Sequence, residues 1–268
     1  MQAIHVDLVN ASTAVSARDA RRFLAALRVQ LRRDFAPVWG TTADLHYVGP
    51  GDEPHPGAWQ LVLLDQREPG TQGFHELTRD GLPLGKVFVR EANEWPSGWT
   101  GTASHELLEL LVDPDTTLGV FVEDESLGPR IYSYEVCDPV QDDRFSYEIE
   151  GVPVSDFVHP AWFEPWRKRG SARFDHAKKL RLPFQVPAGC YAMFYDVRKR
   201  RWLENWGGKV IPHLGVYGGL GPARASSPAP ARALGSDAAL DRGGSRRSLH
   251  GSPRSDGRRR DCWKKSKR

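Results

Sequence analysis

The chain opens on an alternation. Ile4, Val6 and Leu8 are apolar with polar residues between them, the period-two pattern of a strand with one buried face, predicted over residues 3–9. The period then lengthens. Phe23, Leu24, Leu27 and Leu31 form one apolar stripe at helical spacing, predicting a helix over residues 17–34. Ser16 and Asp19 are placed to cap its start, and Pro37 is expected to stop it. Residues 44–48 and 59–64 read as two more strands, separated by the turn-rich Gly-Pro-Gly-Asp-Glu-Pro-His-Pro-Gly run of residues 49–57. A fourth strand runs from Gly85 to Glu91, alternating at Val87 and Val89. After a Trp/Gly/Pro-rich loop at residues 93–100 comes an apolar helix, and then a β-rich stretch. Strands are expected at 131–136, 145–149, 152–157 (entered through a Glu150-Gly151 turn), 183–186 and 191–197, with an aromatic loop at 160–166. From about Gly215 bulky apolar residues almost vanish. Such a segment cannot bury enough surface to offset its ordering entropy. The organisation expected is one α+β domain over residues 1–215 and a disordered tail over 216–268.

Composition sharpens this in two places. Ten Arg, three Lys and four Asp lie from Gly219 onward, a net +9, so the 218 residues before them carry −6 although the whole chain is +3. The domain is acidic and its tail basic. Three cysteines, Cys137, Cys190 and Cys262, are too few and too scattered for a disulfide framework or a cysteine-type zinc site. No apolar run approaches the roughly 18 residues needed to cross a bilayer, and no secretory signal is visible. The expected location is the reducing cytoplasm, with no membrane partner.

The helix over residues 102–113 carries the candidate chemistry. At about 100° per residue, with His105 at zero, Glu109 falls near 40°, Thr102 near 60°, Asp113 near 80° and Glu106 near 100°. The remaining residues are apolar or small. One narrow stripe therefore holds three carboxylates and an imidazole with no base to offset them, and two of the acids lie toward the C-terminal end, where the helix dipole disfavours negative charge. A bound cation answers that repulsion. His105 and Glu109 stand one turn apart on one face, as two metal ligands on a helix must. Glu106 is rotated away from them, suited to act as a general base toward a metal-activated water.

Ser104-His-Glu-Leu-Leu-Glu-Leu-Leu-Val-Asp-Pro114 resembles the His-Glu-x-x-Glu, Asp-Pro helix of a zincin-like group of bacterial and phage proteins, and is similar to a helix in the Exordium-like proteins of plants. In those sequences a Glu-x-x-Asp near a cysteine follows the helix; here Glu135-Val-Cys137-Asp138 stands in that place. The resemblance covers residues 4–206. It implies a zincin-like mixed sheet, a metallopeptidase-like hydrolase with zinc or another divalent cation as cofactor, and His105, Glu109 and Glu135 or Asp138 as ligands with Glu106 catalytic. It also implies an extended peptide bound by β-augmentation along an edge strand from Gly85 to Glu91. Familiar zincins carry a second histidine where this chain has Glu109. One imidazole with carboxylates is a harder donor set, more tolerant of manganese or calcium, and its added charge makes the ion a weaker Lewis acid. A non-catalytic, metal-stabilised binding or assembly domain is the alternative function.

Other signals are weaker. Asp113 could orient His105 or merely end the helix before Pro114. His75-Glu76 has no ligand-type residue at 79 and sits in turn-rich sequence, so it reads as part of a loop. His159 and Cys137 read as packing residues, Cys137 with a thiolate ligand as its alternative role. Asp142-Asp143 reads as an exposed turn. The arginines and lysines of the tail could contact nucleic-acid phosphates, but apart from Trp263 they lack interleaved aromatics.

Overall fold

The computed structural model describes residues 4–66, 70–124 and 128–213; the tail expected over 216–268 lies outside them. The described chain is mixed α+β. Strand β1 (Ile4–Asn10) leads into α1 (Ala17–Val29), where Ser16 Oγ accepts from the Asp19 amide at 3.1 Å and donates to the Asp19 carboxylate. Pro37 does not end this helix. It continues as a π-helical segment, Gln30–Phe35, and a last turn, α2 (Ala36–Trp39), in which Pro37 occupies an N-terminal position where its missing N–H costs little. Gly40, left-handed at φ 69°, closes it.

Strands β2 (Ala43–Val48), β3 (Trp59–Leu64), β4 (Gly73–Leu77) and β5 (Pro83–Phe88) complete the first sheet, in the order β2-β1-β3-β5-β4. Four of its strands are parallel, and β4 alone runs antiparallel, pairing His75 with Gly85 across from it. Two expectations are overturned here. Residues 73–77 form a strand, not a loop. The strand beginning near Gly85 is interior, hydrogen-bonded by β3 on one side and β4 on the other, and from Val89 the chain turns into a short helix, α3 (Val89–Ala92). Its backbone groups are already paired, so it cannot receive a peptide; the edge of the described sheet is β4.

The next element is α4 (Gly98–Val112), ten of whose residues are buried, Leu107, Leu108, Leu110 and Leu111 among them. Burying each such side chain stabilises by about 1.5–3 kcal/mol, which is what holds an acid-rich helix in the interior. The helix packs against β3, β4 and β5 on one side and on the other against β9 (Val152–Val154) of a two-stranded hairpin with β8 (Tyr147–Ile149). Its start meets α1 through an edge-on contact of Phe23 with Trp99. A buried polar network ties these layers. The Ser104 hydroxyl donates to Gln30 Oε1 at 2.8 Å and accepts from the Ser155 amide, while Gln30 Nε2 donates to the Ser155 carbonyl.

The second sheet is antiparallel throughout, in the order β12-β11-β10-β7-β6. It comprises β6 (Gly119–Asp124), β7 (Gly128–Ser133), β10 (Tyr191–Asp196), β11 (Arg201–Trp206) and β12 (Lys209–Pro212). Residues 183–186, expected as a strand, are irregular, and β6, β11 and β12 were not anticipated. No described helix is long and apolar enough to cross a membrane.

Candidate metal centre

Three segments converge on the last turns of α4. The helix supplies His105, Glu106 and Glu109; β4 supplies His75; the loop after β7 supplies Glu135 and Asp138. The approach of α4 to the sheet is close enough to dictate residue type. A Cβ on Gly73 would lie 2.8 Å from Glu106 Oε1 and 2.9 Å from Thr102 Cγ2, and one on Gly85 would lie 2.8 Å from Leu61 Cδ1. Glycine at 73 lets the helix settle onto β4, and glycine at 85 leaves room for Leu61 of β3 beneath it.

His105 Nε2 lies 3.1 Å from Glu109 Oε2 and 3.2 Å from Asp138 Oδ1. The other oxygen of Glu109, Oε1, accepts from the backbone amides of Cys137 (3.0 Å) and Asp138 (3.3 Å), which fixes the carboxylate and joins the helix to the loop. On the far side of Glu109, His75 Nδ1 is 3.5 Å from Glu106 Oε2 and 3.9 Å from Glu109 Oε2, and His75 Nε2 is 3.8 Å from Glu135 Oε2. Two buried atoms here, His75 Nε2 and Glu135 Oε2, have no hydrogen-bond partner. His75, Glu106, Glu109 and Asp138 are only 3–6% exposed. No Lys or Arg among the described residues forms an ion pair with these carboxylates.

The crowding shows in the proton affinities. Burial disfavours a charged His75, but Glu135, Glu106 and Glu109 outweigh it and push the imidazole up to about 10. His105 is likewise raised well above its ordinary value, against burial, by Glu109 and Asp138. Burial and the charge of Glu109 raise Asp138 to about 7 and Glu135 well above the carboxylate range, with His105 and the Tyr191 hydroxyl partly offsetting the effect on Asp138. Glu109 is lowered, because His105 and His75 overcome its burial. Cys137 is fully buried, and burial with the nearby Glu109 raises its thiol well above the ordinary range.

Of the residues singled out in the sequence, His105, Glu109, Glu135 and Asp138 are brought together, and Glu106 sits beside them turned toward His75. Asp113 lies beside the cluster, near enough for its charge to act on Glu135, but both its oxygens accept backbone amides, from Thr117 and Leu118 at 2.9 Å, so it ties down the turn after the helix. His75 is the residue the sequence reading missed. Its signal was the Gly73-x-His75 spacing on a strand, small then ligand-type along one face. Two shallow depressions of the described surface, one of them lined by Arg21, Arg28, Tyr47 and His55, lie away from the cluster. The chain matches no protein-family model, no curated protein and no solved structure.

Proposed function

We propose that the protein is a metal-dependent hydrolase of the zincin type, a peptidase that uses a divalent cation held by His105, Glu109 and Asp138, with zinc the first candidate. The reading rests on one observation: His105 Nε2 lies 3.1 Å from Glu109 and 3.2 Å from Asp138, three donor atoms within 4.8 Å of one another, with no Arg or Lys among the described residues paired to them. The donor set fits a cation. It is hard and anionic, its carboxylates point inward, and two atoms beside it lack partners. The element order supports the same reading, since a helix and parallel strands precede an antiparallel edge strand and then the ligand-bearing helix, as the resemblance to zincin-like proteins implies.

A bound divalent ion supplies Lewis acidity, polarising a carbonyl and making water a nucleophile at neutral pH. The chain's own contribution is positional. Glu106 takes the proton of the attacking water on its carboxylate, and Glu109 is kept from rotating by the two amides it accepts. An extended substrate would add to β4, whose outer edge faces away from β5.

In the chelator-stripped protein, added zinc is expected to bind and to raise the melting temperature; His105→Ala should abolish both effects. Glu106→Gln should retain the ion while eliminating peptide cleavage. A wild-type protein that takes up no divalent ion by elemental analysis overturns the reading. The deep burial of Glu106, Glu109 and Asp138 favours a second reading, a structural ion in a binding domain. There the ion still stabilises the fold, but no substrate is cleaved and Glu106→Gln changes no turnover.

A further inference from the structure

One imidazole and one carboxylate of the cluster are left over by a single ion at His105. His75 is 6% exposed, and its two ring nitrogens have different surroundings. Nδ1 lies near Glu106 Oε2 at 3.5 Å. Nε2 has no hydrogen-bond partner and faces Glu135 Oε2, also without one, across 3.8 Å. That gap is too wide for a hydrogen bond. It is close to what a shared ion needs: with bonds of about 2.1 Å and a tetrahedral angle, two donors on one metal stand roughly 3.4 Å apart.

Glu109 belongs to both sides. Ligand atoms of His105, Glu109 and Asp138 lie within 4.8 Å of one another, and so do those of His75, Glu109 and Glu135. Glu109 is the member the two groups share. Its Oε1 is occupied by the amides of Cys137 and Asp138, which leaves Oε2 turned toward both histidines. The charge count points the same way. Glu106, Glu109, Glu135 and Asp138 together carry −4 when ionised; one divalent cation leaves half of that uncompensated, whereas two neutralise it.

We infer that the cluster is a binuclear metal centre, with one divalent ion on His105 and Asp138, a second on His75 and Glu135, and Glu109 Oε2 bridging them. The inference rests on the metal-centre reading above and extends it. Glu106 Oε2, 3.5 Å from His75 Nδ1, favours the proton on that nitrogen and so leaves Nε2 for the second ion, the arrangement in which a carboxylate orients a ligating imidazole. In such centres two ions about 3.5–4 Å apart stabilise the attacking and the leaving oxygen together. The carboxylate-rich donors suit manganese in particular.

The test is the stoichiometry of manganese(II) taken up by the chelator-stripped full-length chain, followed by titration calorimetry and electron paramagnetic resonance. The wild type should bind two ions per chain and give an exchange-coupled signal that an isolated ion does not. His75→Gln and Glu135→Gln should each bind one ion and lose the coupling, and His105→Gln should do the same from the other side. Circular dichroism spectra and melting curves establish that each variant is folded, and the isosteric Glu135→Gln carries the test if a histidine variant is not. One ion per wild-type chain, unaffected by His75→Gln and Glu135→Gln, overturns the binuclear centre and leaves the single-ion reading standing. One ion lost equally with either histidine also overturns it, in favour of a mixed site. No ion at all defeats both readings.

Discussion

His75 and His105 bear on what holds the ion-free cluster together. Two carboxylates 4 Å apart repel by roughly 4 kcal/mol at an effective dielectric constant near 20, and four converge here. Protons stand in for the cation: both imidazoles are raised above their ordinary values and Asp138 is held near 7. The sign of the pH dependence follows. Each of these groups binds its proton more tightly folded than unfolded. The contribution of Asp138 is complete below about 3.8 and fades as pH rises to about 7, and that of His75 is complete below about 6.5 and fades toward 10. The ion-free fold should therefore weaken from mildly acidic to alkaline pH. A cation competes with those same protons, so its affinity rises over this range. The increase in melting temperature on adding zinc or manganese is expected to be larger at pH 8.5 than at pH 6; an increase that shrinks with pH would show that the ion binds elsewhere.

At the scale of elements, the part of the site carried on one helix was legible and the part assembled across strands was only partly so. Helical periodicity put His105, Glu106 and Glu109 in one arc, and the resemblance around Glu135 and Asp138 drew the following loop in. Strand β4 was not legible, because its inward row begins with Gly73 and His75, where an ordinary strand shows apolar residues. The chemistry had displaced the hydrophobic pattern that identifies a strand. Strand β5 was legible through Val87, but not its start at Pro83 nor its place inside the sheet, which follows from the partner strand β4 that the pattern concealed. The run of helix past Pro37 escaped for another reason: a proline in the first turn of a new segment is compatible with helix, and sequence alone does not mark the restart. The glycines now carry a prediction. Gly73→Ala would set a Cβ 2.8 Å from Glu106 Oε1 and 2.9 Å from the Lys86 carbonyl, and overpacking of this kind costs about 1–3 kcal/mol. Thermal denaturation should show that loss, with reduced metal uptake, whereas Gly57→Ala, at a turn glycine with open space around it but a left-handed φ, should cost stability without touching the metal.

On the scale of the molecule, α4 is the member to which both halves of the described chain attach. The first sheet rests on it directly, and the strand leading out of the second sheet is fastened to it by the Glu109 carboxylate gripping the amides of Cys137 and Asp138. The acidic charge of the first 218 residues is thereby concentrated at an internal seam as well as on the surface. Because Cys137 donates one of those two amides and its thiol is sealed away from solvent, it can act as a clock for the seam. A thiol reagent attacks only the exposed thiolate, so alkylation of Cys137, followed by peptide mapping, would time how often the loop springs free of the helix. Loading the cluster with zinc should slow that clock at least about tenfold, and should do so more for Cys137, whose own amide Glu109 holds, than for Cys190, which is buried beside Asp142. Equal slowing of both would mean that the label enters only when the whole chain unravels.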